Sequence, residues 1–312
     1  MPRVDVIIPV YNSAATVAES VESALGQTFT DFDVIAVDDG STDTSAEVLS
    51  RYGARVRVLA QPNRGLSAAR NAGVRLGTAE YVAFLDADDI WEPEMLKRTV
   101  AALDRLPHSV LAYTDVTVVD SSGRPLNAAL VSNSLGRAPQ LEDLFVRLWP
   151  IMPSAVVMRR GVFDAVGGFS EAFRGLGYED VFMWMRAREL GEFVYLPESL
   201  VRWRFSAFPH PLKQARKERD SAGVFAGLVR ERWDRSAAPL IKARERAPRS
   251  ILGYIGLHAL AEGDRTTARN AFALAIRFDP WRLRNYMRYL RAFLPVTAAR
   301  VLSGGSRAAK GE

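Results

Sequence analysis

The sequence has no cysteine, which excludes disulfides, thiolate nucleophiles, iron–sulfur clusters and Cys-ligated zinc. Histidine is scarce: His108, His210 and His258 are scattered, which argues against a multi-histidine metal site. No apolar run reaches the ~20 residues of a membrane-spanning helix. The best candidate, Ile251 to Ala261, stops at Glu262. Glycine-rich nucleotide loops are also missing. No G-x-G-x-x-G follows the first apolar segment and no G-x-x-x-x-G-K-[ST] occurs, against both a dehydrogenase and a P-loop NTPase. The opening Met1-Pro-Arg-Val-Asp-Val-Ile-Ile-Pro9 holds an acid and a proline in a very short apolar run. It reads as a strand and not as a signal peptide, so a cytoplasmic location is expected.

What is present is ordinary in bulk and uneven in charge. Apolar residues make up 48% and charged residues 25%, close to globular averages, and 312 residues suffice for roughly two domains. Residues 1–210 hold 20 basic and 27 acidic side chains, whereas 211–312 hold 21 basic and 9 acidic. A basic tail is drawn to phosphate, in nucleic acid or on a membrane surface.

The first hundred residues alternate between two periods. Short Val/Ile-rich runs at 4–9, 32–37, 56–60 and 81–85 read as buried strands. Between and after them, 14–26, 42–51, 65–76 and 94–106 read as helices, the last led by Pro93. Strand–helix alternation predicts a parallel sheet with right-handed crossovers, covered on both faces. Beyond Leu106 the expected strands are 109–113, 116–120, 154–158, 193–196 and 200–205, with helices at 161–166 and 180–190 and a loop over 124–150. From Pro211 only helices are expected, with a tetratricopeptide-like hairpin at about 250–278.

Ligands in an open parallel sheet bind at the carboxyl ends of the strands. Four polar clusters fall at those ends: Pro9-Val-Tyr11-Asn12, Asp38-Asp39-Gly-Ser-Thr-Asp43, Asn63-Arg-Gly65 with Arg70-Asn71, and Asp86-Ala-Asp88-Asp89. Each alone has a plain reading as turn or cap chemistry, or as a solvated arginine. Together they form a constellation on one sheet edge.

These motifs, with Gln27-Thr28, Ala69-Arg-Asn-Ala-Gly73, Gly167-Gly-Phe169 and Glu179-Asp180, resemble the family 2 glycosyltransferases over about residues 4–205. The resemblance implies an inverting enzyme of GT-A fold: a Rossmann-like, mostly parallel nucleotide-binding sheet with an acceptor-side subregion, here followed by an all-α extension. The division expected is a catalytic domain over 1–208, its donor half about 1–115 and its acceptor half about 116–208, then a basic helical region over 209–312. The resemblance further implies a nucleotide-diphosphate sugar donor, with a UDP-sugar preferred, and a divalent metal, Mn²⁺ or Mg²⁺, on its diphosphate. By resemblance Asp88 is a metal ligand and Asp86 a ribose or metal contact. Asp39, beside Asp38, accepts from the base. Pro9, Tyr11 and Asn12 line the nucleotide, and Arg70 faces base or phosphate.

Inversion needs a single displacement, hence a general base for the acceptor hydroxyl. Asp180 is the choice, with Glu179 orienting the acceptor or a neighbouring loop. The metal-reaching histidine of many members has no counterpart before His210. Ser199-Leu-Val-Arg-Trp203 lacks the glutamine of the processive Q-x-x-R-W motif, so one or a few additions are expected. The acceptor expected is a glycan or lipid-linked sugar, as in polysaccharide biosynthesis. The aromatic and arginine-rich segment 281–294 is a candidate for peripheral contact with an anionic membrane at its inner face. The rival readings are a nucleotidyltransferase acting on a sugar phosphate, and a non-enzymatic nucleic-acid or membrane binder working through the basic tail.

Overall fold

The computed structural model describes residues 1–120, 122–127, 138–139, 144 and 151–204, scattered positions within 217–232, and residues 265–278 and 283–293. Contacts divide the chain into two units: Met1–Ser206 with Gly223–Leu240, and Ala207–Ala222 with Ile241–Glu312.

Among the described residues, the first unit is built on a nine-stranded mixed sheet. Its opening strands are β1 (Val4–Val10), β2 (Phe32–Asp38), β3 (Arg57–Ala60) and β4 (Tyr81–Phe84). They run parallel in the order β3-β2-β1-β4, linked by α1 (Val17–Leu25), α2 (Ser45–Ser50) and α3 (Leu66–Leu76). The chain thus steps from β1 outward through β2 and β3, then returns to place β4 on the other side of β1. Such a reversal opens a crevice at the strands' carboxyl ends. All seven β1 residues are buried, the acid Asp5 among them, as a strand covered on both faces requires. Pro9 lies beyond the last β1–β4 pair, Ile7 with Phe84, so its missing N–H leaves that ladder intact. Gly73 lets α3 approach β1: a Cβ there would lie 2.5 Å from the Ile7 side chain.

Beyond β4 the sheet turns mixed. After β5 (Ile90–Trp91) and α4 (Met95–Arg105) come β6 (Ser109–Val119), β7 (Pro125–Asn127), β8 (Val156–Arg159), α5 (Arg160–Val166), α6 (Glu179–Arg188) and β9 (Glu192–Arg204). The order continues β4-β8-β6-β9-β5, with β8 antiparallel to both neighbours and β6 parallel to β9. The segments 109–113 and 116–120, expected as separate strands, form one, as do 193–196 and 200–205. The register shifts on both sides of Asp115, and Pro197-Glu198 are passed over between Leu196 and Ser199. A bulge absorbs the proline without ending the strand. The short β5 and β7 carry too little periodicity to be read from sequence.

The two faces of the sheet pack differently. Ala83, Ala112, Val157 and Val201 share one core with Val17 and Val21 of α1 and Leu96 and Val100 of α4. Phe84 points the other way, edge-on to Phe169 at 5.1 Å, and Phe169 meets Trp184 of α6 at 6.0 Å. Asp5 is a buried acid within β1. It accepts from the Ala79 amide at 2.8 Å and from Arg160 at 2.5 Å, tying β1 to the start of α5.

In the second unit, α7 (Arg265–Phe278) packs Ala268 and Phe272 against Tyr289 and Ala292, in and just after α8 (Leu283–Arg291). Tyr286, Met287, Leu290 and Phe293 stay exposed. The expected first helix of the hairpin, His210, Arg282 and Leu294 lie outside the described residues.

Candidate active site

The crevice between β1 and β4 gathers the expected clusters, and the structure separates their roles. Asp39, 3% exposed, is saturated by its own chain. Its Oδ1 accepts from Gln61 Nε2 at 2.6 Å and the Arg64 amide at 2.9 Å, and its Oδ2 from the Gly65 amide at 2.7 Å. Asp38 accepts from the Ser41 amide at 3.0 Å. Asn12 sits at φ 50°, a left-handed conformation that asparagine tolerates better than most residues. Its Oδ1 accepts from the Thr42 amide at 2.8 Å and the Asp43 amide at 3.3 Å, locking the loop after β1 to the loop after β2. Tyr11 is half exposed at the rim, whereas Pro9 is buried within β1.

The acids after β4 are poised differently. Asp86 places Oδ1 2.6 Å from Arg70, and its amide donates to Ser154 Oγ at 3.0 Å. Asp89 is a brace: buried, it accepts from Ser154 Oγ at 2.5 Å and the Arg204 amide at 3.0 Å. Arg204 also donates through Nε to the Asp88 carbonyl at 3.0 Å and bonds Glu19. Thr16 adds a bond to the Ala87 carbonyl at 2.8 Å. The Asp88 backbone is thus fixed from several sides. Its carboxyl is pushed up to about 6, first by burial and then by the charge of Asp86.

Arg70 is 1% exposed and spans the crevice. It donates to Asp86 at 2.6 Å and to Glu179 Oε1 at 3.2 Å, and its guanidinium lies 5.1 Å from the Phe169 ring centre. Burial lowers its pKa, but Asp86, Glu179 and Asp180 more than offset this and hold it raised. Arg70, expected to face base or phosphate, links the β4 loop to α6. Beside it, Asn71 exchanges two bonds with Phe169, Nδ2 to the carbonyl and Oδ1 from the amide, both 2.9 Å. Gly168 permits this closeness, because a Cβ there would fall 2.6 Å from Asn71 Oδ1.

Asp180 completes the arrangement. It lies two residues after Tyr178, which opens α6 at φ 80°, an uncommon conformation for an aromatic residue and a mark of local strain. Its Oδ1 accepts from the Val181 amide at 2.7 Å. Burial first, and then the charge of Glu179, push its carboxyl up to about 7. Sequence reasoning missed Ser154, Gln61 and Arg204 as braces. Only Asn71 carried a signal, through its place beside Arg70.

Whether a cation fits can be judged from the donor set. Asp86 and Asp88 are hard oxygen donors one residue apart. Burial first, and then the charge of Asp86, raise the Asp88 carboxyl, a penalty a cation would relieve. No group of three or more potential ligands occurs among the described residues. The pair therefore suits an ion that takes its other ligands from a phosphorylated substrate, as Mg²⁺ does.

The fold and crevice define an α/β protein with its site at a topological switch point. Residues 5–167 match the family described as glycosyl transferase family 2. The chain belongs to glycosyl transferase family 2. It is 29% identical over 209 residues to the putative glycosyltransferase EpsE of Bacillus subtilis, covering 65% of this chain and 73% of that one. It is 30% identical over 210 residues to the chondroitin synthase of Escherichia coli, covering 63% of this chain but 28% of the synthase. An uncharacterized glycosyltransferase of Rickettsia prowazekii is 26% identical over 212 residues, covering 66% of this chain and 65% of its own. The chain thus spans just under two thirds of that relative's length. Among solved structures, S. aureus TarS residues 1–349 match with a TM-score of 0.60 at 20% identity, over 94% of this chain and 90% of that one. The mannosyltransferase PcManGT from Pyrobaculum calidifontis, in complex with GDP-Man and Mn²⁺, matches with a TM-score of 0.59 at 19% identity, over 93% and 85%. The fold is of the GT-A kind.

Proposed function

We propose that the chain is an inverting glycosyltransferase of the hexosyltransferase type. It moves a sugar from a nucleotide-diphosphate sugar, preferably a UDP-sugar, to a hydroxyl of a glycan or lipid-linked acceptor. The observation that carries this reading is the Asp86–Arg70–Glu179 bridge. It ties the loop that carries Asp88 to the helix that carries Asp180, two acids whose carboxyls burial pushes up. A solved TarS structure holds UDP-GlcNAc, which supports the choice of donor class.

In this reading residues 1–208 form the catalytic domain, the donor half over about 1–115 and the acceptor half over about 116–208, with 209–312 as a helical extension. The nucleotide lies over the β1 and β2 loops, against Tyr11, Asn12 and the Asp38-Asp39 turn, while Pro9 shapes the turn from within the strand. Asp88 and Asp86 hold a divalent cation. Bound there, such an ion supplies Lewis-acid neutralisation of the leaving nucleoside diphosphate. Asp180, ionised above about pH 7, takes the proton of the acceptor hydroxyl as that oxygen attacks the anomeric carbon from the face opposite the leaving group. Glu179 is held by Arg70 and orients the acceptor side. We place the protein in the cytoplasm, touching anionic lipid at the inner face of the membrane through the exposed Tyr286, Met287, Leu290 and Phe293.

The test is release of nucleoside diphosphate from a panel of UDP-, dTDP- and GDP-sugars with Mn²⁺ or with chelator. Release that chelator stops supports the reading, and NMR of the product should find the anomeric configuration opposite to that of the donor. Pyrophosphate release would point to a nucleotidyltransferase instead, and retention would contradict single displacement. Salt-sensitive sedimentation with anionic liposomes, lost in Leu290→Glu, tests the membrane contact.

A further inference from the structure

The acceptor half holds a second polar cluster that the reaction above does not use. Tyr113 and Asp115 of β6 alternate with Ala112 and Val116, which face the α1/α4 core, so both point to the opposite face. Phe84, Phe169 and Trp184 of α6 occupy that same face. Tyr195 of β9 pairs with Tyr113 in register, the rings 5.2 Å apart, and its hydroxyl donates to Asp115 Oδ2 at 2.6 Å.

Two atoms of this cluster are unsatisfied. Tyr113 is 1% exposed, and its Oη is buried with no hydrogen-bond partner among the described residues. Asp115 Oδ1 is likewise buried and unpartnered. Burial raises the Asp115 carboxyl despite the Tyr195 bond. Burial, then Tyr195 and the Asp115 charge, raise the Tyr113 hydroxyl. Buried polar atoms are nearly always paired, so two unmade bonds in one place call for a group that supplies both. A sugar hydroxyl does so: it donates to a carboxylate oxygen and accepts from a phenol.

The position suits an acceptor. Register runs Ala83–Val157–Ala112 across β4, β8 and β6, and one step on Val156 pairs with Tyr113. Continuing that register places Asp115 level with Ser154, whose Oγ receives the Asp86 amide. The cluster therefore lies on the carboxyl-end edge, two strand spacings or about 10 Å from the Asp86 loop. It sits on the face that carries α6 and away from the β1 and β2 loops.

Resting on the glycosyltransferase reading, we propose that Tyr113, Asp115 and Tyr195 form an acceptor subsite that binds a non-reacting hydroxyl of the acceptor sugar. Asp115 Oδ1 accepts from that hydroxyl and Tyr113 Oη donates to it, while Tyr195 holds Asp115 in place.

The experiment uses the full chain and its Tyr113→Phe and Asp115→Asn variants. The probes are p-nitrophenyl glycosides of glucose, galactose and N-acetylglucosamine. Glycoside binding is followed by saturation-transfer NMR without donor, and nucleoside diphosphate release is measured with and without glycoside. Donor-induced thermal shift confirms that each variant is folded. Expected are a rise in acceptor KM of up to about tenfold for Tyr113→Phe and of about 10- to 100-fold for Asp115→Asn. Release to water alone should stay within about twofold of the parent's. Glycoside binding equal to the parent's, or transfer and hydrolysis falling together, would overturn the subsite and leave a trapped water or a structural brace. Failure of the underlying reading looks different: the parent chain would release no nucleoside diphosphate from any sugar nucleotide, whatever the glycoside signal.

Discussion

The two edges of the crevice use the same residue type for opposite ends. On the β1–β2 side, Asp38, Asp39 and Asp43 accept backbone amides from their own chain, three donors in all for Asp39 if its Gln61 contact is included. The Ser45 hydroxyl, in turn, leads in holding the Asp43 carboxyl below its ordinary value. On the β4–α6 side, Asp88 and Asp180 are raised by burial and by neighbouring acids, and Asp86 and Glu179 share a single arginine. Satisfied acids brace loops; acids left at an electrostatic disadvantage are ready to take a cation or a proton. The hydrogen bonding even divides Asp86-Ala-Asp88-Asp89. Asp89, its carboxyl also pushed up by burial and by the charges of Asp86 and Asp88, accepts from Ser154 and the Arg204 amide and is a brace, whereas the Arg204 bond at Asp88 reaches its backbone carbonyl.

The largest expected effect is at Asp88. Asp88→Ala should cut turnover by more than about 10³-fold, because a metal at a leaving diphosphate contributes several kcal/mol. The same change should leave the thermal midpoint no lower than the parent's, since a carboxyl destabilised by burial is removed. Asp39→Ala should melt lower, because it removes the acceptor of three part-buried hydrogen bonds. Nucleoside diphosphate release and thermal unfolding, run side by side, check both. An Asp88→Ala protein that melts as low as Asp39→Ala would erase the distinction between the edges.

Asp180→Asn comes next, with a loss of about 10²–10⁴-fold in kcat and little change in donor affinity. The base works only when ionised, and its carboxyl lies at about 7. Parental activity should therefore rise with pH through about 7 and level off above it, and Asp180→Asn should lose this limb. A limb that survives in Asp180→Asn assigns it to another group, Glu179 first.

Arg70→Met removes a buried cation held between two acids, and Arg70→Lys keeps the charge without the fork. Breaking a buried ion pair from one side costs about 3–5 kcal/mol, so Arg70→Met should unfold well below the parent and Arg70→Lys in between. Because the Arg70 charge lowers the Asp180 carboxyl, its loss should move the acid limb to higher pH. An unmoved limb in a folded Arg70→Met protein would separate the bridge from the base.

The parallel half of the sheet was legible because unbroken Val/Ile runs and intervening helical periods are local signals, and the four polar clusters marked its carboxyl edge. What could not be read depends on long-range pairing. The fusion of 109–113 with 116–120 is a register matter against β9, and the antiparallel β8 comes from a segment some 70 residues after β4. Side-chain roles were the least legible. Nothing in Asp38-Asp39-Gly40 announces a brace for Gln61, Arg64 and Gly65. Likewise, Arg70 shows its two acid partners only once α6 is folded over α3.

The smallest effect sharpens the same comparison at Asn12, which braces two loops yet stands at the nucleotide's edge. Asn12→Gly keeps the left-handed backbone at φ 50° and deletes the side-chain bonds to Thr42 and Asp43. With solvent able to replace part of each bond, the loss should be about 1 kcal/mol. Asn12→Ala deletes the same bonds and adds the cost of holding a Cβ at positive φ, about 1–2 kcal/mol more. Both should raise the donor KM severalfold, because the two loops no longer hold one geometry. Both should leave kcat near the parental value, because Asp88 and Asp180 stay where they are. Chemical denaturation ranks the stabilities and steady-state kinetics separates KM from kcat. Equal stability of the two variants would mean the backbone relaxes out of the left-handed region. A fall in kcat would mean the β1–β2 edge reaches further into the chemistry than a brace does.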